Sequence, residues 1–197
     1  MKKIIALTGG IGSGKSTVIN ILKDMGYKVF SADEEYKECL NDEAFVQKIS
    51  DEFNISPIIC CGKKCLDRAT LSKIVFNDKE KKKLLDKTTH PVVVKRLIEK
   101  AKAASGECVF CEVPLLFEGG FEKLFDGVIV VMRDENERVN AVITRDGLRK
   151  DDVLKRIDSQ LDYSKFNFDG YTVLWNDGNM HILYEKVKSI VDGLVKK

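Results

Sequence analysis

The chain has 197 residues, of which 44% are hydrophobic and 32% charged, and its formal net charge is +2. This balance is typical of a globular protein with one core, and the weak positive charge predicts no nucleic-acid partner. The apolar run after Lys3 ends at Thr8, short of the roughly 7–15 residues of a secretory signal. No later run approaches the ~20 apolar residues of a membrane span. We therefore expect a cytoplasmic protein without a membrane partner, and the sequence leaves its oligomeric state open.

The chain contains six cysteines, which raise the question of a zinc or disulfide site: Cys39, Cys60, Cys61, Cys65, Cys108 and Cys111. Cys108 and Cys111 have metal-ligand spacing but lie in an apolar run that predicts a strand. Side chains three positions apart on a strand point to opposite faces, so these two could not hold one ion. The other clustered cysteines lack a neighbouring histidine. We expect reduced thiols.

Five short apolar runs predict five strands, at Lys3–Thr8, Tyr27–Ser31, Cys108–Val113, Val128–Met132 and Tyr171–Trp175. The stretches between them are helical in pattern. They include a helix after the first strand, ended by Gly26, and a closing helix from about 180 to 195. Strands that alternate with helices predict an α/β fold with a parallel sheet covered on both faces.

Two helical insertions interrupt this core, and we expect both to be subdomains of a single unit. The core would comprise about 1–32, 106–133 and 168–197, and the insertions about 33–105 and 134–167. In the first insertion, which is predicted to be mostly helical, Asp67 is a plausible N-cap. His90-Pro91 predicts a helix boundary or kink there, because proline disfavours helix at the preceding residue.

The segment Gly9–Ser16 matches the phosphate-binding pattern G-x-x-x-x-G-K-[ST] at every fixed position, between a predicted strand and a predicted helix. Glycines let backbone N–H groups approach phosphates, and the helix adds the positive end of its dipole. Lys15 would contact the β- and γ-phosphates, and the Ser16 hydroxyl would bind Mg²⁺. The sequence therefore predicts an ATP-binding phosphotransferase. Its predicted ATP-binding residues in this loop are Gly10, Gly12, Ser13, Gly14, Lys15, Ser16 and Thr17.

Two acidic residues lie at the carboxyl ends of predicted strands, at the sheet edge where ligands bind in parallel α/β folds. Asp33 could take the proton of an alcohol acceptor, which a phosphate acceptor would not require. It could equally be only the N-cap of a helix that begins at Glu34. Glu112 closes the third strand, where it could act on the metal through water or be a surface charge.

Arginines recur in the second insertion. Arg138 and Arg145 are seven positions apart and would share a helix face, and Arg149 and Arg156 repeat the spacing. Guanidinium groups on a mobile flap could clamp a transferring phosphate. The alternative is a solvated face with i,i+4 ion pairs such as Asp134–Arg138. In a chain with this loop, we favour the lid.

With these residues the chain resembles the dephospho-coenzyme A kinases. The matching segments follow one another in family order through nearly the whole chain: Leu7–Thr17, Ala32-Asp33, Leu66–Leu71, Val75-Phe76, His90-Pro91, Val113–Glu118, Arg138, Arg145–Gly147, Arg156-Ile157, Gln160 and Asn176–Gly178. The Pro114–Glu118 block is more specific than the phosphate-binding loop, since other P-loop small-molecule kinases lack it.

The resemblance implies transfer of the γ-phosphate of ATP to the ribose 3′-hydroxyl of dephospho-CoA, the last step of coenzyme A synthesis. It implies a nucleotide-kinase-like, five-stranded parallel sheet with Asp33 as general base. Lys15, with Arg138 or Arg145, would stabilise the phosphates, and Arg145 and Asn176 would lie near ATP.

The resemblance also implies an acceptor site and a lid. The insertion after Asp33 would shape the acceptor pocket, with Lys37, His90, Pro114 and Leu115 as further acceptor-binding residues, and 134–167 would form the lid. Ser31 and Lys37 depart from the family's usual Asp and Arg. Lysine lacks the bidentate fork of arginine, so acceptor binding is expected to differ.

Two other functions are compatible with the same phosphate-binding loop. A kinase of another small alcohol would also use Asp33, but this function would not explain the presence of the Pro114–Glu118 block. A nucleotide-driven switch or ATPase is a different class. A GTPase would need a guanine-reading Asn-Lys-x-Asp, which the sequence lacks, and the low charge argues against a nucleic-acid-dependent ATPase.

Overall fold

The structure, a computed structural model, describes residues 2–76 and 78–195. The strands are β1 (Lys3–Thr8), β2 (Lys28–Ser31), β3 (Ile58–Cys60), β4 (Lys63–Cys65), β5 (Cys108–Glu112), β6 (Gly127–Met132) and β7 (Thr172–Trp175). The helices are α1 (Lys15–Asp24), α2 (Ala32–Cys39), α3 (Glu43–Phe53), α4 (Arg68–Phe76), α5 (Lys79–Ala103), α6 (Glu135–Asp146), α7 (Lys150–Asp158) and α8 (Met180–Val195), and a 3₁₀ turn spans Glu122–Leu124.

The five strands predicted from the apolar runs form one sheet in the order β2-β5-β1-β6-β7. β1 pairs in parallel with β5 and β6, so that Leu7 lies in register with Glu112 and Ile129. β1 is central and buried on both faces, which explains its unbroken apolar run. The predicted parallel sheet is confirmed. The carboxyl end of β1, the central strand, lies at the middle of one sheet edge.

The chain divides into two compact units. The first comprises 1–30 and 100–197, and the second comprises 31–99. In the first, residues of β1, β5, β6 and β7 pack against α1 and α8 in one core, which includes Leu7, Leu22, Phe110 and Val187. Helices α6 and α7, predicted as a lid, belong to this first unit.

The second unit has its own core, in which residues from α2, α3, α4 and α5 pack together, among them Cys39, Ile49, Leu71 and Val93. Helix α4 begins after Asp67, whose carboxylate accepts a hydrogen bond from the Thr70 N–H at 3.0 Å. The predicted N-cap at Asp67 is therefore confirmed.

Two features of this region differ from the sequence prediction. Helix α5 continues through Pro91, so of the boundary or kink predicted at His90-Pro91 the boundary is wrong. Proline costs about 3 kcal/mol inside a helix, but burial of side chains such as Val93 and Leu97 contributes about 1.5–3 kcal/mol each. Strands β3 and β4 form a hairpin in a stretch predicted to be mostly helical. Its two turn residues, Cys61 and Gly62, have φ of 51° and 78°, and a cysteine in place of the usual Asn or Asp hid this turn.

A buried ion pair connects helices of the second unit. Glu35 on α2 is 2% exposed, and Arg96 on α5 donates to its Oε1 at 2.8 Å. Arg96 also approaches Asp42, the N-cap of α3, at 3.4 Å. One guanidinium therefore joins three helices, among them the helix that carries Asp33.

We expect Arg96→Ala to destabilise the protein by about 2–3 kcal/mol, because it would leave the buried Glu35 carboxylate without its guanidinium. The measurement is the free energy of unfolding in urea. Lys83→Ala is the control, since Lys83 pairs with Glu80 at 2.9 Å while both side chains are exposed. That change should cost no more than about 0.5 kcal/mol, and equal losses in the two variants would contradict the assignment.

The cysteines differ in exposure. Cys39, Cys108 and Cys111 are buried and Cys61 is exposed, and burial raises the pKa of Cys111 to about 12. Within 2–76 and 78–195, no cluster of three or more His, Cys, Asp or Glu side chains is arranged to hold a metal ion. No helix in those ranges is long and apolar enough to cross a membrane.

At pH 8 we expect iodoacetamide to modify Cys61 in the folded protein and to spare Cys111 until the protein unfolds. The thiolate is the reactive form, and a pKa of about 12 leaves roughly one Cys111 thiol in ten thousand ionised at that pH. Peptide mass spectrometry with and without urea reads the outcome. Alkylation of Cys111 at the rate of Cys61 in the native state would show that the burial is wrong.

Candidate active site

The phosphate-binding loop connects the end of β1 at Thr8 with the start of α1 at Lys15. Gly12 and Gly14 have φ of 76° and 93°, in the left-handed region that favours glycine. Their surroundings also leave no room for a side chain. A Cβ on Gly12 would lie 2.5 Å from the Arg138 carbonyl oxygen, and one on Gly14 would lie 2.0 Å from Asn176 Nδ2. Glycine is thus required at both positions by backbone conformation and by space, although only Gly14 is a fixed position of the pattern.

Lys15 points back into the loop. Its Nζ donates to the carbonyl oxygens of Gly9 at 2.7 Å and Gly10 at 3.1 Å. Ser16 is exposed in the first turn of α1, and Ser13 is buried with no hydrogen-bond partner for its Oγ among the described residues. A cation, a helix N-terminus and hydroxyl groups therefore meet at one loop, as an anion site requires.

Arg138 on α6 lies over the same loop. Its Nε donates to the Ile11 carbonyl at 3.0 Å, and a Cβ on Gly10 would lie 2.4 Å from its Nη2. Burial lowers the pKa of Arg138, although a guanidinium remains charged in proteins. The alternative ion pair with Asp134 is not formed. Asp134 instead caps α6, accepting from the Asn136 N–H at 2.9 Å.

Arg145 lies at the other end of α6 and makes different contacts. It is 61% exposed and pairs with Asp146, with its Nε 2.7 Å from Oδ1. Arg156 approaches the same carboxylate at 3.8 Å, and the Arg145 hydrogen bond lowers the pKa of Asp146. In the structure Arg138, and not Arg145, is hydrogen-bonded to the phosphate-binding loop.

Asn176 reaches the loop from the segment after β7. Its backbone N–H donates to the Met132 carbonyl at 2.8 Å, and its Nδ2 donates to the Ser13 carbonyl at 2.9 Å. The first contact extends the pairing of β6 and β7, so the sheet itself positions this side chain.

The Pro114–Glu118 block follows β5. The Thr8 hydroxyl donates to the Pro114 carbonyl at 3.5 Å, and Leu115 is half-buried. Phe117 packs on the rings of Phe166, Phe168 and Tyr171. Glu112, the last residue of β5, is half-buried and lies in register with Leu7, one residue before the end of β1. The block thus joins the segment 166–171 to the strand end that carries the loop.

Asp33 and its neighbours lie in the second unit. Helix α2 begins at Ala32 after an N-cap at Ser31, so the alternative that Asp33 is an N-cap is wrong. Asp33 is exposed, and its carboxylate has no hydrogen-bond or ion-pair partner within residues 2–76 and 78–195. Lys37 follows one turn later and is also exposed. His90 lies in α5 with Nε2 3.4 Å from Asp86 Oδ1.

No local sequence pattern marks Ile11, Gln160 or Tyr163 as a functional residue. Gln160 Oε1 accepts a hydrogen bond from the Ile11 N–H at 2.7 Å. Tyr163 is buried close to Thr8 and Gly9, and burial raises its pKa. The one sequence signal for these contacts was that Gln160 matches the dephospho-coenzyme A kinase family. A contact with a loop 149 positions away leaves no local pattern in the sequence.

A parallel sheet whose central strand runs through a Gly-rich loop into a helix, with a lysine and an arginine on that loop, defines a P-loop phosphotransferase. The sequence model of the dephospho-CoA kinase family matches residues 3–181. The chain is 35% identical to the dephospho-CoA kinase of Fusobacterium nucleatum over 185 residues, which is 94% of this chain and 95% of that one. The Thermus thermophilus dephospho-CoA kinase is 35% identical over 188 residues, 95% of this chain and 90% of that one. The chain belongs to the dephospho-CoA kinase family.

Solved structures agree with this placement. A crystal structure from Thermus thermophilus has a TM-score of 0.79 at 33% identity, covering 98% of each chain. A dephospho-CoA kinase from Campylobacter jejuni has a TM-score of 0.70 at 30% identity, covering 100% of this chain and 98% of that one. Shikimate kinase from Acinetobacter baumannii, at 13% identity and a TM-score of 0.56, covers 100% of this chain and 94% of that one and shares the fold.

We expect Gly12→Ala to raise KM for ATP by at least about tenfold, because the added methyl group would push the loop away from Arg138. Gly26→Ala is a matched control. Gly26 also has a positive φ, 86°, but a Cβ there meets nothing within 4 Å. Both changes should cost about 1–2 kcal/mol of stability from backbone strain, and only the first should impair ATP use. Equal KM values would show that strain alone explains the glycine.

Proposed function

We propose that this protein transfers the γ-phosphate of ATP to the ribose 3′-hydroxyl of dephospho-CoA, giving coenzyme A and ADP in the last step of coenzyme A synthesis. The observation that carries the proposal is the phosphate-binding loop with Lys15 and Arg138 on it, in a chain of this family. The cytoplasmic location expected from the sequence remains a prediction.

The loop binds the ATP phosphates in this proposal. The Lys15 ammonium, now on the Gly9 and Gly10 carbonyls, would turn to the β- and γ-phosphates, which are stronger acceptors. Arg138 has its Nη2 close to Gly10 and would neutralise charge on the transferring group. Arg145 would first have to leave Asp146, so we assign it to the nucleotide together with Asn176 and not to the initial phosphate contact.

Mg²⁺ would accompany ATP. Its proposed protein ligand is the Ser16 hydroxyl, an exposed hard oxygen next to Lys15, with Glu112 acting through water. This sparse donor set fits Mg²⁺, which keeps several waters and binds substrate phosphates instead of an all-protein cage. When bound, the ion neutralises charge on the β- and γ-phosphate oxygens.

Asp33 is the proposed general base. It is an exposed carboxylate with no partner among the described residues, and it is therefore available to take the proton of the acceptor hydroxyl. Lys37 lies on the same helix face at i+4 and would contribute positive charge to the acceptor. We further propose that His90, Pro114 and Leu115 contact the acceptor, that the segment about 33–105 forms most of its pocket, and that 134–167 closes as a lid.

We expect Asp33→Asn to lower kcat by about 10²–10⁴-fold with ATP binding intact, because asparagine keeps the shape but cannot accept the proton. ADP release would be followed in a coupled assay with ATP, Mg²⁺ and dephospho-CoA. Glu34→Gln is the matched control, since it removes the neighbouring exposed carboxylate of the same helix. A wild-type protein that ignores dephospho-CoA would refute the proposed substrate, whereas an active Asp33→Asn variant would refute only the base.

A further inference from the structure

Ile11 occupies a variable position of the phosphate-binding loop, yet it is attached to the helical segment 134–167 at three points. Its N–H donates to Gln160 Oε1 at 2.7 Å, and its carbonyl accepts from Arg138 Nε at 3.0 Å. Its side chain packs against a small core between α6 and α7 that is built on Val139, Val142 and Val153. Both backbone polar groups and the side chain of one loop residue are therefore held by the same segment.

We infer that Ile11, Arg138 and Gln160 form a latch that couples the phosphate-binding loop to the α6–α7 pair, and that Gln160 is a positioning residue for Arg138. The inference rests on the phosphoryl transfer proposed above and adds a role for a residue beyond the predicted site. Gln160 accepts from the N–H of the Gly10–Ile11 peptide group, whereas the Ile11 carbonyl belongs to the adjoining peptide group on the other side of the same Cα. Holding the first peptide group therefore restricts the rotation of the second. The Ile11 carbonyl in turn fixes Arg138 Nε.

The geometry of a guanidinium explains why this matters. The group is planar and carries five N–H donors in a rigid fork. With Nε committed to the Ile11 carbonyl, the plane is fixed and the four Nη hydrogens remain for an anion. Nη2 already lies over Gly10, on the loop that would hold the phosphates. Losing the Gln160 contact would release the Gly10–Ile11 peptide group, so that the adjoining Ile11 carbonyl could rotate and the guanidinium could adopt orientations that miss the phosphate.

Neighbouring contacts keep Gln160 in place. The next residue, Leu161, donates its N–H to Glu118 Oε1 at 3.1 Å, which connects the latch to the Pro114–Glu118 block. Tyr163 is 4% exposed and is stacked on Phe168. The segment after α7 is thus anchored at Leu161 and Tyr163, directly after Gln160, so that its side-chain amide is held as an acceptor.

The test is a double-mutant cycle of Gln160→Ala with Arg138→Ala, read as kcat and KM for ATP and for dephospho-CoA. Gln160→Ala should lower kcat by about 10- to 100-fold with little change in KM for dephospho-CoA or in Tm. Combined with Arg138→Ala, it should cause almost no further loss, because both changes disable one guanidinium. Gln160→Glu keeps an acceptor oxygen and should restore much of kcat. Lys165→Gln, an exposed change in the same segment, should match wild type.

Wild-type kcat in Gln160→Ala, or losses that simply add to those of Arg138→Ala, would overturn the latch. If the alanine variant does not fold, Gln160→Asn, whose amide is one carbon shorter, replaces it in the cycle. The ATP affinity of the same single and double variants, measured by calorimetry without acceptor, gives a second cycle. This second cycle tests the latch even if dephospho-CoA proves not to be the substrate. An Arg138→Ala variant with wild-type kcat and ATP affinity would refute both the proposed role of Arg138 and the latch.

Discussion

The constraint on which the rest of this structure depends is the lack of space around the phosphate-binding loop. Neighbouring groups occupy the positions where side chains would begin. A Cβ on Gly9 would meet the Val131 carbonyl oxygen at 2.3 Å, and Cβ atoms on Gly10, Gly12 and Gly14 would meet Arg138 or Asn176. Backbone N–H groups can therefore approach a ligand closely, while β6, α6 and the segment after β7 pack against the loop. Any added side chain would separate these elements from the loop.

The same close packing sets the electrostatics. Lys15 is bonded to carbonyls of its own loop and Arg138 is partly buried against it, so two cations stand at the positive end of α1. Burial disfavours the charged arginine and lowers its pKa, and an anion in the loop would relieve that cost. Part of the ATP affinity would then come from charge that the fold has already placed. The exposed Arg145, paired with Asp146, shows the contrasting case on the same helix.

The second unit, which we propose to form most of the acceptor pocket, is held together in a different way. The second unit has its own core and its own buried ion pair, so the helix that carries Asp33 is held by Glu35 and Arg96 on the face opposite to solvent. This arrangement leaves Asp33 and Lys37 exposed on a helix whose position does not depend on them. A carboxylate that serves as a base needs such freedom, because structural hydrogen bonds would compete with the substrate for its lone pairs.

The sequence by itself determined the five strands of the parallel sheet, the phosphate-binding loop and the family, since these depend on local apolar runs and on short motifs, whereas it missed the β3–β4 hairpin. It could not decide which arginine reaches the loop, because Arg138 and Arg145 share a helix spacing and only the packing of α6 separates them. It left open whether Asp33 caps a helix, which the start of α2 at Ala32 decided. The contacts of Ile11 with Gln160 and of Asn176 with Ser13 likewise exist only in the fold, because side chains more than a hundred positions apart meet only when the sheet brings their segments together.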